Sequence, residues 1–168
     1  MKKLLAVLLF MLPALCVMGQ AGTPGEVALI IRRGDPVSCR YTLSARGTMP
    51  VKESGTALLC GGKYRISGPA LDTFSDGVTV WTVDRAAREV YISGAGESLA
   101  SRLEEYLGFV SDFNYDGRNL SCTLRSDDGS VDLDFSATDI SFTSPPEDGA
   151  FVFDVSSLDS SWVVTDLR

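Results

Sequence analysis

The sequence predicts an exported, mainly β domain of the α+β class, one antiparallel sheet with a few short helices. Three observations carry this. Val37, Cys39, Tyr41, Leu43 and Ala45 alternate with Ser38, Arg40, Thr42 and Ser44, the period of a half-buried strand. Residues 55–92 are cut by glycine and Asp-Gly signals into strand-sized pieces rich in β-branched and aromatic residues. Residues 1–21 have the form of a secretory signal: Lys2 and Lys3, an apolar run broken by Pro13, then Gly19-Gln20-Ala21 at the cleavage site.

Cleavage after Ala21 leaves residues 22–168 as a single domain, long enough for a sizeable core. The mature chain is expected to be soluble rather than lipidated on Cys16, because Leu15, not a small residue, precedes that cysteine. A helix is expected from Thr23, with Thr23 and Glu26 as a capping box, Pro24 in the first turn, and Gly34 as the stop. After the strand 37–45, Gly47 to Pro50 turn the chain into a strand at 55–60. Gly61 and Gly62 permit a bend before the alternating strand 63–66. Asp76-Gly77 turns into a strand at 78–83, and residues 84–87 turn again into 89–92. Residues 97–107 place Leu99, Leu103, Tyr106 and Leu107 on one helical face, with Gly108 behind them. Strands follow at 109–115, 120–125, 131–142 and 151–155. A phase change near Thr138 and Asp139 predicts a bulge, and 162–167 predicts a last edge strand.

The signal holds two lysines and no acids, so its removal takes the formal charge from −7 to −9. Nucleic acid and anionic membrane surfaces require clustered cations, which argues against both as partners. The chain has no histidine, which excludes His-based triads and His-ligated zinc. It has no P-loop and no G-x-S-x-G, so no enzyme is expected, and neither a cofactor nor a metal site. Residues 112–117, DFNYDG, match the start of a calcium loop, but Thr123 stands where the closing Glu is required, so a hairpin turn is expected. Asp132 and Asp134 share a strand face and are expected in solvent. Three cysteines follow the signal. If the first hairpin turns between Met49 and Pro50, Cys39 lies opposite Cys60 and the pair is a disulfide candidate; a slip of one residue puts them on opposite faces. Cys122, between Leu120 and Leu124 at period two, is expected in the core.

In order, G-x-A-x-L from Gly55, G-G-K-Y-R from Gly61, S-D-G-V-T-V-W-T-V-D from Ser75 and E-V-Y-I from Glu89 resemble the LolA-like periplasmic outer-membrane lipoprotein carriers. The resemblance is closest to the short versions of the Bacteroidetes and extends to the ending V-T-D-L-R. Gly61-Gly62 stand where the better-known carriers place a basic residue and a proline. The resemblance implies an incomplete antiparallel β-barrel, a half-barrel, closed by short helices. It implies a periplasmic carrier, acting as a monomer, that shields an acylated lipoprotein or another lipid and meets inner- and outer-membrane lipoprotein machinery. An apolar cavity lined by Leu59, Tyr64, Trp81, Val83, Leu99, Leu103 and Leu107 would hold the acyl chain. From the residues alone, Trp81, Tyr64, Tyr91 and Phe109 fit a plain packed core better than a cavity, and only the resemblance makes some of them cavity lining. The rival reading is a lipid- or protein-binding or sensing module on the same scaffold.

Overall fold

The computed structural model describes Thr23 and residues 33–45, 51–96, 108–125, 132–142, 144 and 146–168. They form one ten-stranded sheet. Its strands are β1 (Val37–Ala45), β2 (Val51–Cys60), β3 (Lys63–Ser67), β4 (Leu71–Ser75), β5 (Thr79–Asp84), β6 (Glu89–Gly94), β7 (Val110–Tyr115), β8 (Leu120–Arg125), β9 (Asp132–Phe142) and β10 (Val163–Asp166). The spatial order is β10-β6-β5-β4-β3-β2-β1-β9-β8-β7. The first six strands are thus a meander, and β7–β9 form a second one whose last strand returns beside β1. Every pairing is antiparallel except β10 with β6.

The sheet is open, with β7 and β10 as its edges. This corrects the expected α+β half-barrel closed by short helices: the described residues are nearly all β, and no α-helical element is among them. Of the helix expected from Thr23, only Thr23, Arg33 and Gly34 are described, Arg33 with helical backbone and Gly34 at φ +81°, and the helix expected over residues 97–107 lies outside the described residues. The sheet is wider than expected because β4 adds a strand. Residues 151–155, expected as a strand, instead run out of one short 3-10 helix, Asp148–Phe151, and into another, Val155–Ser157.

Period-two alternation divides the sheet into two faces. On the front face, β1 contributes Val37, Cys39, Tyr41 and Leu43. They join Ala57 and Leu59 of β2, Tyr64 and Ile66 of β3, and Leu133, Phe135, Ala137 and Ile140 of β9. Leu120, Cys122 and Leu124 of β8 and Tyr115 of β7 extend this cluster to the edge. On the back face a smaller cluster, Phe74, Val83, Val90 and Ile92, lies under Trp81, Phe153, Val155, Leu158 and Trp162. The chain between β9 and β10 therefore covers the back of β4–β6, with the Phe153 ring 5.4 Å from that of Phe74.

Two strands carry one extra residue each. In β9 the register against β1 shifts between Ser38 and Arg40, and Asp139 has φ +54°, so the expected bulge is present. In β7 the register shifts between Ser111 and Asn114, and Asp112 has φ +51°.

Candidate functional site

The front face is apolar across six neighbouring strands, β3-β2-β1-β9-β8-β7, apart from one place near its middle. Glu53 is in phase with the apolar positions of β2 and pairs with Leu43, so its side chain is directed to the front. Beside it, Tyr41 pairs with Gly55. A Cβ on Gly55 would lie 2.8 Å from Tyr41 Oη, and one on Gly68 would lie 3.1 Å from the same oxygen and 2.9 Å from Glu53 Oε1. Two glycines thus make the room in which a phenol and a carboxyl approach each other. Tyr41 is 2% exposed, and its hydroxyl is buried without a hydrogen-bond partner among the described residues.

Desolvation holds the Glu53 carboxyl above the ordinary glutamate range. Burial, and then the nearby Glu53 charge, push the Tyr41 phenol upward as well. For an acid raised in the folded state, ionisation costs stability. That cost is absent below the unfolded value of about 4.3 and complete above the folded value. Glu53→Gln is therefore expected to melt higher than the parent at about pH 7, and at the same temperature near pH 4 where both are neutral. Thermal melts at the two pH values check this; a gain that does not vary with pH would assign it to packing instead.

The opposite side of the same strands is polar. Two shallow depressions line it. One, of about 440 Å³, has Ser38, Arg40, Thr56, Arg65, Ser67 and Asp139 in its walls. The other, of about 340 Å³, has Thr42, Ser44, Ser121, Thr123, Asp134 and Ser136. Asp134 takes a hydrogen bond from Thr123 Oγ1 at 3.1 Å, and Asp132 lies 3.6 Å from Arg125. Both carboxylates are half-buried on this face rather than free in solvent. In the DFNYDG motif, Asp116 Oδ1 accepts from the backbone N–H groups of Arg118 and Asn119, which makes it the β7–β8 turn.

The residues proposed for one cavity are divided by the sheet. Leu59 and Tyr64 pair with each other on the front face. Tyr64 pairs with Ser75 and Ser75 with Val80, so Val80 shares their face, while Trp81 and Val83 belong to the back cluster. Leu99, Leu103 and Leu107 lie outside the described residues. The Cys39–Cys60 pairing is corrected: Cys39 lies opposite Ala57, and Cys60 pairs with Lys63. The actual register is offset by three residues, an odd slip that puts the two thiols on opposite faces. Cys39, Cys60 and Cys122 are all free, and the Cys60 thiol donates to Gly34 O at 3.6 Å. Burial pushes Cys39 and Cys122 up to about 12, so both behave as small core residues. Sequence reasoning passed over Glu53 and Tyr41 as a pair. The signal was there: Glu53 continues the phase of Gly55, Ala57 and Leu59.

No family model and no curated protein matches the chain. Among solved structures, an uncharacterized conserved protein from Thermus thermophilus is similar at 11% identity and a TM-score of 0.48, over 84% of this chain and 98% of that one. A likeness at that level carries no argument about function.

Proposed function

We propose that this protein is a periplasmic carrier whose front face binds the acyl chain of a lipoprotein or another lipid. The observation that carries the reading is the breadth of that face: six strands of buried apolar side chains, interrupted at Tyr41 and Glu53. The half-buried Ala45, Val80, Phe109, Val110 and Phe113 pack against it. The signal at residues 1–21 and the motif order from Gly55 to Ile92 support the same reading. Burying about ten methylenes is worth roughly 8 kcal/mol, the scale of a micromolar complex before association costs. The reaction needs no nucleophile and no cofactor, only an apolar surface held out of water.

A fatty acid carrying a photoreactive diazirine on its chain tests this. Irradiation followed by peptide mapping is expected to label front residues of β1, β2, β8 and β9, and excess unlabelled fatty acid is expected to suppress the label. Trp emission is expected to stay unchanged on binding, since Trp81 and Trp162 belong to the back cluster. Label concentrated on the back cluster around Phe74 and Phe153, or label that unlabelled fatty acid does not suppress, would count against the front face as the site.

A further inference from the structure

We propose that β10 is an interface through which two copies of this chain join their sheets edge to edge, a surface independent of the acyl-binding reading. The two edges of the sheet are built differently. β7 is bulged at Asp112 and exposes Ser111, Asp112 and Asn114, devices that discourage strand addition. β10 is regular and has no lysine, proline or positive φ in it. Of the seven exposed large hydrophobic residues among those described, three share one face of this edge, Val163 (58% exposed) and Leu167 (62%) on the strand and its extension and Tyr91 on the neighbouring β6, and a fourth, Val164, lies on the other face of the same strand. Patches of this kind on a soluble protein mark contact surfaces.

The backbone decides which register a second copy takes. Val163 N–H donates to Arg88 O at 2.9 Å and Leu167 N–H to Ile92 O at 2.8 Å, so odd-numbered residues bond inward to β6. Val164 and Asp166 therefore direct their N–H and C=O groups to the open edge. The next outward N–H, that of Arg168, is already taken by Asp166 Oδ1 at 3.0 Å. In an antiparallel pair, residues that exchange both hydrogen bonds must both face outward. Pairing Val164 with Asp166 of the second copy meets this condition twice, by symmetry, and gives four hydrogen bonds. The same register sets Thr165 opposite itself on the two-fold axis and Val163 opposite Leu167 of the second copy, which covers the two most exposed hydrophobic residues of the strand and its extension. The allowed register centred on Asp166 would oppose two like charges. The one centred on Val164 would leave Leu167 facing Ser161. In the favoured register the Asp166 carboxylate is neutralised within its own chain by Arg168, at 2.6 Å. The contact is self-complementary and closes on itself, so it yields a dimer and not a fibre. A four-residue edge is small, so the dimer is weak and forms with rising concentration. This departs from the monomer that the family resemblance implies.

Cysteine cross-linking of the full chain in a Cys60→Ser background tests the register. Residues opposite each other without hydrogen bonds have Cα atoms about 4.5 Å apart, within reach of a disulfide. Thr165→Cys is expected to give a covalent dimer on mild oxidation, at least tenfold faster than Val163→Cys, whose own copies lie four residues apart along the strand. An equal mixture of Val163→Cys and Leu167→Cys is expected to cross-link like Thr165→Cys. Equal rates for Thr165→Cys and Val163→Cys would show random collision and overturn the proposal. So would a parent protein that sediments as a monomer at every concentration reached.

Discussion

Gly55→Val is expected to abolish the fold or to cost on the order of 4 kcal/mol, the range reserved for a named steric or burial fault. A Cβ at this position would lie 2.1 Å from the carbonyl oxygen of Ser67 and 2.9 Å from Tyr41 Cε1. The first contact is with backbone and cannot be relieved by a rotamer change. The second is with a ring that is fully buried in the front core. Relief requires β2 to move off β3, which breaks the ladder from Thr56 to Cys60. Even Gly55→Ala meets these contacts. Gly62→Ala is the control: its Cβ meets nothing within 4 Å, and its melting point is expected to stay within a degree or two of the parent, as for a surface change. Thermal melts of the variants decide the matter. A Gly55→Ala protein as stable as Gly62→Ala would mean that Tyr41 does not cross β2 at this point. The glycine that leads the G-x-A-x-L motif is thus explained by a close approach of backbone and ring.

What was legible in the sequence follows from how strictly alternation constrained each strand. β1 was readable because its odd positions are apolar and its even positions polar, and Val37–Ala45 is the strand observed. The bulge at Asp139 was readable for the same reason: an extra residue changes the phase of Ala137 and Ile140. The Trp162–Leu167 stretch was readable as an edge, although its parallel pairing with β6 was not. β4 was missed because it lacks the pattern. Asp72, Thr73, Phe74 and Ser75 are all buried, so polar residues occupy both of its faces. Arg85 satisfies Asp72 from the β5–β6 turn at 2.6 Å, a partner thirteen residues away that no local pattern announces. The sequence leaves the β1–β2 register open because Leu58, Leu59 and Cys60 are three consecutive apolar residues, which leaves the phase of β2 ambiguous. Leu59 is the one that is buried. The candidate site was read as one hollow because alternation assigns a face within each strand but not between distant strands. Only the pairing chain Leu59–Tyr64–Ser75–Val80 shows that Trp81 lies behind the sheet.

The two cores are expected to act separately, and Phe135 and Phe74 test this. Phe135, 1% exposed, is the centre of the front cluster, flanked across the ladder by Leu43 and Cys122. Phe135→Ala is expected to cost about 4 kcal/mol, from lost transfer energy and the cavity left among side chains that the sheet backbone prevents from collapsing. Phe74→Ala empties the back cluster beneath Phe153 and Arg65, whose guanidinium lies 5.1 Å from the ring centre. It is expected to cost less, about 3 kcal/mol, because irregular chain covers that face and can settle into the gap. Four ladder steps separate the strands, about 19 Å, and the two rings have opposite sides of the sheet as their surroundings. Distant sites without shared partners add, so the double variant is expected to lose the sum of the two within about 0.5 kcal/mol. Denaturant titrations of the parent, both single variants and the double measure it. If front and back formed one core, the second substitution would cost less than it does alone, since the first would already have loosened its surroundings. Acyl binding divides the pair in the same way. Phe135→Ala alters the proposed binding face and is expected to change probe affinity, whereas Phe74→Ala is expected to leave it unchanged while lowering the melting point.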